Sequence, residues 1–540
     1  MGLQFGLLVG LQFRLLVGLT VRTPMPTSTS SLTTLESRLT KPSEPLSSLE
    51  EYLDKRVRRA PRLYMGTVRG RRFAHDPEGH NALVVLSRFA ASLLDHAWGE
   101  PLSDVLKNLA AHGLRSAHSW REIRALLRSG VLRCEGYRPD RIQKTPTFNL
   151  WMHLTNACNL NCPYCYISKS KDRLTSAAER AMLGSVDATA ASGRWRRIHA
   201  RYAGGEPMLQ FEAMKRLHHA AKTRCEAHGV EFSAAVLTNG TIVPEGAPQW
   251  LARNGVGLSV SIDGLGQVQD QMRPRRSGGG SFSLLEAGLD QWCQAGLRPY
   301  VLITVGDANL DTLPQLTSWL LERGLAFRYS LVRDLQWGQR ALSDSVGAGQ
   351  CGDMRADHLG QGALTAEQLD RIRKVFHRCY DRIEAHVAAQ IDRGERVVPP
   401  FRGTHHFCDL SLWRPISKAC GAGETYAALG DRGALSPCQA ALHSTDAGRL
   451  DESLSLDTQL QRHKPFGNFR RELGNQQCNN CRHKPSCAGG CPLLLQRRDG
   501  HIDGRSPYCE VFRAVIPRIL RIAALEATGA QSRARSSGVQ

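Results

Sequence analysis

The sequence predicts an α/β fold, in which residues 145–335 form a parallel sheet curled into a partial (β/α)6 barrel. A small domain precedes the barrel and a cysteine-rich domain follows it. Three observations predict this. Strand-like and helix-like stretches alternate six times between residues 148 and 332. Several of the strands end in glycine-rich or polar turns, where a parallel α/β sheet holds its ligands. Three cysteines, Cys158, Cys162 and Cys165, leave the first strand in a C-x3-C-x2-C spacing.

Residues 1–60 read as an extension, either disordered or upstream of the true start. Residues 2–9 (GLQFGLLV) recur as 10–17 (GLQFRLLV), as a translated DNA repeat does, and Met25 is a plausible initiator. Arg14 and four glycines interrupt the apolar opening, so it is no convincing membrane span. Residues 26–50 are rich in Ser, Thr and Pro and read as disordered. The expected setting is cytoplasmic, with no membrane partner.

Residues 61–140 show three short apolar runs and then three helices, Arg88 to Asp95, Pro101 to His112 and Trp120 to Ser129. In the second, Leu102, Val105, Leu106 and Leu109 share one face. This order resembles the winged-helix peptide-recognition domain of peptide-modifying enzymes, similar to the peptide chaperone of pyrroloquinoline quinone biosynthesis. The resemblance implies that a precursor peptide adds its leader as a strand to an exposed sheet edge. A structural cap or a DNA-binding winged helix shows the same pattern.

The barrel strands fall at Asn149–Thr155, Ile198–Ala203, Glu231–Thr238, Val256–Ile262, Pro299–Val305 and Leu325–Val332. Helices lie between them around 175–192, 211–228, 245–253, 281–295 and 311–323. Three thiolates on one short loop hold three irons of a [4Fe–4S] cube and leave the fourth open to a small chelating molecule. A closed zinc site needs a fourth ligand, and no Cys or His follows nearby. Gly204-Gly205-Glu206-Pro207 ends the second strand. Its glycines allow close backbone approach, and Glu206 offers a carboxylate to a cationic amine. Ser261-Ile262-Asp263-Gly264 ends the fourth strand, with Arg273 twelve residues after Ser261. Thr238-Asn239-Gly240 ends the third and reads equally as site lining or as a turn.

Together these residues resemble the radical S-adenosylmethionine (SAM) enzymes, whose fold is a six-repeat open barrel. The resemblance implies that Cys158, Cys162 and Cys165 carry a SAM-binding [4Fe–4S] cluster. It implies that the segment Gly204, Gly205, Glu206 and Pro207 binds the SAM amino group, and that Ser261 and Arg273 hold its carboxylate end. Asp263 is counted with this segment, although Asp263-Gly264 is also an ordinary turn. Tyr164 takes the aromatic position where the family's loop reads adenine.

Residues 336–407 read as a linker and helical bridge, with a glycine-rich loop at 346–362 and an amphipathic helix from Glu367 to Gln390. In residues 408–525 a second cysteine group runs Cys420, Cys438, Cys478, Cys481, Cys487, Cys491 and Cys509. It resembles the seven-cysteine SPASM extension of radical SAM maturases. By that resemblance Cys478, Cys481, Cys487 and Cys509 bind one auxiliary [4Fe–4S] cluster, and Cys420, Cys438 and Cys491 another, with Cys408 or an exogenous group as fourth ligand. The six remaining cysteines are Cys134, Cys225, Cys293, Cys351, Cys379 and Cys408. Most of these read as buried small apolar residues. A pair of structural zinc sites is the rival for the second group.

The chain has 540 residues, 41% of them hydrophobic, and a formal charge of +20 from 70 Lys and Arg against 50 Asp and Glu. The arginines are spread through most segments with no compact basic tract, so nucleic acid is not an expected partner. The resemblances imply an enzyme, a radical SAM/SPASM peptide maturase (RiPP maturation), with SAM and three [4Fe–4S] clusters as cofactors. They imply a precursor peptide as substrate, an electron donor such as flavodoxin or ferredoxin, and an oxidative crosslink as product. The alternatives are an anaerobic sulfatase maturase, a peptide epimerase, a non-enzymatic iron–sulfur redox or regulatory protein, and a zinc-dependent nucleic-acid-binding protein. The sulfatase maturases carry an aspartate after the cysteine matching Cys438, where this chain has Gln439.

Overall fold

The computed structural model describes residues 48–79, 83–115, 119–137, 145–333, 364–395, 397, 407–412, 415–418, 420–442, 447–462, 478–499 and 504–536. The tandem repeat, Met25, the glycine-rich loop at 346–362 and Cys351 lie outside the described residues.

The N-terminal module begins earlier than the expected boundary at 60. Strand β1 (Arg56–Arg59) is the centre of a three-stranded antiparallel sheet, between β5 (Trp98–Pro101) and β6 (Leu132–Cys134). A second antiparallel sheet holds β2 (Tyr64–Val68), β3 (Arg71–His75) and β4 (Leu83–Val85) in order. Helices Arg88–His96, Leu102–Ala111 and Ser119–Ser129 cover the module's own core around Val57, Leu93, Leu102 and Leu127. The first helix starts at Ser87, whose hydroxyl accepts from the amide of Ala90 at 3.0 Å.

The barrel strands are β7 (Thr147–His153), β8 (Arg197–Ala203), β9 (Glu231–Thr238), β10 (Gly257–Ser261), β11 (Tyr300–Val305) and β12 (Ala326–Leu331). They pair in parallel and in chain order. Each βα crossover therefore winds the same way, as a twisted parallel sheet requires. In β8, β11 and β12 burial alternates along the strand, and the fully buried residues point at the helices. The alternate positions are half-exposed and line the concave face. Side chains such as Val236, Val260, Ile303 and Phe327 form the layer between sheet and helices.

The cysteine-rich region is not a detached domain. Its strand β13 (Tyr426–Leu429) joins the barrel sheet parallel to β7, followed by antiparallel β14 (Ala434–Ser436) and β15 (Gly448–Arg449). At the other edge of the barrel, Phe407 bridges to Tyr329, and the Cys408 amide donates to the Tyr329 carbonyl at 3.1 Å. Helix Ala366–Asp392 packs against helix Cys509–Ser536, and Arg521 pairs with Glu384 at 2.7 Å. Arg521 also donates to the Thr67 carbonyl at 2.7 Å, tying the helix to the N-terminal module. Among the described residues no helix is long and apolar enough to cross a membrane.

Glu526 lies on that last helix with no cationic partner among the described residues, and burial raises its carboxyl to about 7. An acid with a raised folded-state pKa costs nothing below its unfolded value near 4.5 and destabilises increasingly as pH climbs through 7. Thermal unfolding of Glu526→Gln should match wild type at pH 4 and gain on the order of 1–3 kcal/mol at pH 8.

Candidate functional site

The loop after β7 is fastened at both ends before any ligand is considered. Leu154 and Leu160 are fully buried. The amide of Leu154 donates to Ala203 at 2.8 Å and that of Asn161 to Pro274 at 2.8 Å, while Arg276 donates to Asn159 at 2.9 Å. Cys158, Cys162 and Cys165 therefore sit between the ends of several strands, and none of them is in a disulfide. Burial pushes the Cys162 thiol up to about 11, Arg273 opposes this, and Cys165 adds to it. The Leu160 amide points at Cys158 Sγ from 3.4 Å, and Lys169 Nζ donates to Cys165 Sγ at 3.1 Å. Three neighbouring free thiols, two of them with N–H donors aimed at their sulfurs, fit an iron–sulfur cluster, whose thiolates accept such bonds. Among the described residues, no three His, Cys, Asp or Glu side chains converge on a single-ion site.

The two glycines at the end of β8 serve this loop. A side chain on Gly204 would place Cβ 2.4 Å from the Thr155 carbonyl, and one on Gly205 would place it 2.2 Å from the Ala157 carbonyl. Only glycine lets the strand end lie flat against the root of the cysteine loop. Glu206 is fully buried and braces β8 to β9. Its carboxylate accepts from the Met208 amide at 2.9 Å, the Thr238 hydroxyl at 2.7 Å and the Asn239 amide at 2.8 Å. Burial raises its pKa against the pull of these bonds and of Lys169. Pro207 opens the short turn that follows. Asn239 closes the circuit, donating to Asn159 Oδ1 at 2.9 Å. The Thr238-Asn239-Gly240 segment is thus part of the site's framework.

Asp263 is the second brace. Its Oδ2 accepts from Arg273 Nε at 2.7 Å and from the Tyr164 hydroxyl, and its Oδ1 accepts from the Thr304 amide at 2.7 Å. The side chain is fully buried, which makes it more than a turn residue. Arg273 also stands 5.6 Å from the Tyr164 ring centroid, and its two terminal nitrogens have no hydrogen-bond partner among the described residues. They are left for a carboxylate beside Cys162. Ser261 occupies the half-exposed end of β10, facing the concave side.

The second cysteine group divides in two. Cys478, Cys481, Cys487 and Cys509 are mutual neighbours. Burial pushes Cys487 up to about 12, with Cys509, Cys478 and Cys481 adding to it. Cys420, Cys438 and Cys491 form the other set. Burial holds Cys438 up to about 11, and Cys491 reinforces it. Cys408 shares a cavity of ≈ 340 Å³ with Cys420. Burial alone would raise its thiol, but Arg328 and Arg333 outweigh that and bring it below the usual range. A sulfur that ionises readily beside Cys420 is suited to act as a ligand.

Several site residues carry no motif. Lys169 is one. Tyr166 is another, and it lies between Cys165, Tyr426 and Cys438, with burial keeping its phenol neutral. Tyr426 donates to Gln439 Oε1 at 2.6 Å. These two tyrosines link the first cysteine loop to the second group. Only the spacing of Tyr166, directly after Cys165, offered a signal in the sequence.

Residues 152–320 match the family model of the radical SAM superfamily. The chain carries a radical SAM domain. Its relatives include the mycofactocin maturase MftC of Mycolicibacterium smegmatis, 25% identical over 67% of this chain and 82% of the relative. The serine-type anaerobic sulfatase-maturating enzyme of Klebsiella aerogenes is 24% identical over 63% of this chain and 78% of its own. Among solved structures, native anSMEcpe with bound AdoMet superimposes with a TM-score of 0.52 at 17% identity, over 70% of this chain and 99% of that one. The likeness shows a shared fold. The match at residues 152–320 shows a radical SAM domain, and the cofactors of that superfamily are a [4Fe–4S] cluster and SAM. The three free thiols, their N–H donors and the free end of Arg273 fit both.

Proposed function

We propose that this radical SAM enzyme is a peptide maturase that installs an oxidative crosslink in a ribosomally made precursor. The observation that carries the reading is the half-exposed concave face of the barrel, bounded by the first cysteine loop on one side and the Cys408–Cys420–Cys438–Cys491 group on the other. When bound, SAM and its cluster supply a carbon-centred radical able to take one hydrogen atom from a peptide carbon. The chain's own residues orient and insulate that event. Arg273 and Ser261 seat the cofactor's carboxylate end, Tyr164 and Asp263 hold Arg273 in place, and the buried Glu206 brace keeps the loop in register. Closure of the peptide onto a neighbouring atom releases a further proton and an electron. The cysteines of the second group would hold auxiliary clusters, which would supply an acceptor for that electron, with flavodoxin or ferredoxin as the initial donor. The relatives named as maturases support the peptide as substrate.

The sulfatase-maturase reading is weakened at Gln439. Its amide oxygen accepts from Tyr426 where that chemistry uses an aspartate base. The N-terminal module is the proposed leader-binding domain, working in the cytoplasm by edge-strand pairing. Mass spectrometry of a short precursor encoded beside the gene and co-expressed with the enzyme tests the product. The expected result is a peptide lighter by about two hydrogens, as the electron count requires. An unchanged mass with one solvent deuterium gained in heavy water would establish epimerisation instead.

A further inference from the structure

The concave face of the barrel holds two guanidinium groups that no carboxylate of the described residues neutralises. Arg201 rises from β8 and Arg328 from β12, both at the half-exposed, inward positions of their strands. Among the described residues Arg201 makes a single long hydrogen bond, Nη1 to Asn149 Oδ1 at 3.4 Å. Arg328 has a buried Nε with no hydrogen-bond partner among the described residues. The two are close across the barrel: burial lowers the pKa of Arg201, and Arg328 lowers it further. Among the described residues neither guanidinium is in an ion pair. Glu231, at the far end of β9, pairs with Arg197 at 2.7 Å, and Asp409 pairs with Arg333. His199, also facing inward, is held neutral by burial, its pKa falling to about 4. Tyr426 and the Cys408 thiol also stand near Arg201.

Two partly buried guanidinium groups in one chamber attract anions: the Cys408 thiolate is one, committed to the second cysteine group in the reading above, and the open side of the pair is left for another. A planar carboxylate is the group that two guanidinium forks recognise best. We infer that Arg201 and Arg328 form a carboxylate-binding subsite in the reaction chamber, which selects an acidic side chain or the C-terminal carboxylate of the substrate peptide. The subsite lies below the SAM-facing Arg273 and has a different ligand. It rests on the peptide-maturase reading and gives that reading a substrate class.

Three probes test it on the anaerobically reconstituted holoenzyme with SAM present: acetyl-Gly-Glu-Gly-amide, its Gln counterpart, and acetyl-Gly-Gly-Gly with a free C-terminal carboxylate. Calorimetry should show one of the two carboxylate probes binding about tenfold or more tighter than the neutral one. Which of them binds identifies the source of the carboxylate. Arg201→Gln and Arg328→Gln should each erase the preference, whereas Arg201→Lys, which keeps the charge, should retain part of it. Iron content of each variant reports on folding. Equal binding of all three probes, no binding of any, or a preference that survives both Gln variants overturns the inference. So does parallel loss of SAM binding in both Gln variants, which would assign the guanidinium groups to the cofactor. Wild-type enzyme that forms no 5′-deoxyadenosine defeats the maturase reading itself. Active enzyme without a carboxylate preference defeats only the subsite.

Discussion

Replacing Cys158, Cys162 and Cys165 together by alanine should remove about four of roughly twelve irons per chain and abolish SAM cleavage. The loop is held by its backbone bonds to Ala203, Pro274 and Arg276, none of which involves a thiol. The variant should therefore fold and keep the irons of the second group. Iron and sulfide analysis of anaerobically reconstituted protein reads the first effect and chromatography of SAM products the second. Loss of all iron would mean that the two cysteine groups do not fill independently. An unchanged iron content would remove these cysteines from the cluster site.

The second large effect belongs to Asp263. One buried carboxylate holds Arg273, Tyr164 and the Thr304 amide. Asp263→Ala leaves a buried guanidinium without its counter-charge, a class of change that costs about 3–5 kcal/mol. Denaturant unfolding should show that loss, and SAM affinity in the surviving folded protein should fall with it because Arg273 is no longer positioned. Arg273→Ala should weaken SAM binding as well but cost less stability, since Asp263 keeps its amide donor and its tyrosine. If Asp263→Ala were as stable as wild type, the brace would be ornamental.

Much of the barrel was legible in the sequence, and for a physical reason. A strand buried on one side by helices and half-open on the other must alternate, and β9 falls at Glu231–Thr238, the bounds that its pattern predicted. The others differ by one or two residues, where strand ends lose their pairing. The cysteine loop and the segment after β8 were legible because their residue types are chemically hard to replace. What those residues do locally was not. The glycines were expected to let backbone approach a ligand, and they also make room for the backbone of residues 155–157. Asp263 was counted with the cofactor-binding segment, but its role as a brace was hidden because Tyr164 and Thr304 come from distant segments.

Other features left no trace in local pattern. Strand β1 reads Arg-Val-Arg-Arg, with a single buried side chain, so its charges disguised it as part of the extension. Strand β13 is four residues long, and nothing in Tyr-Ala-Ala-Leu announces pairing with β7 nearly three hundred residues earlier in the chain. Arg201 and Arg328 vanish in a sequence with arginine in most segments. Only the curl of the sheet brings them into one chamber.

The central claim is that the three-cysteine loop and the Arg273 brace together make a SAM-cleaving centre. The most direct measurement is the release of 5′-deoxyadenosine when anaerobically reconstituted protein is reduced in the presence of SAM. Reductant-dependent 5′-deoxyadenosine is expected in wild type and none in the triple-alanine variant. Iron-replete wild-type protein that binds SAM yet forms no 5′-deoxyadenosine under reduction would contradict it.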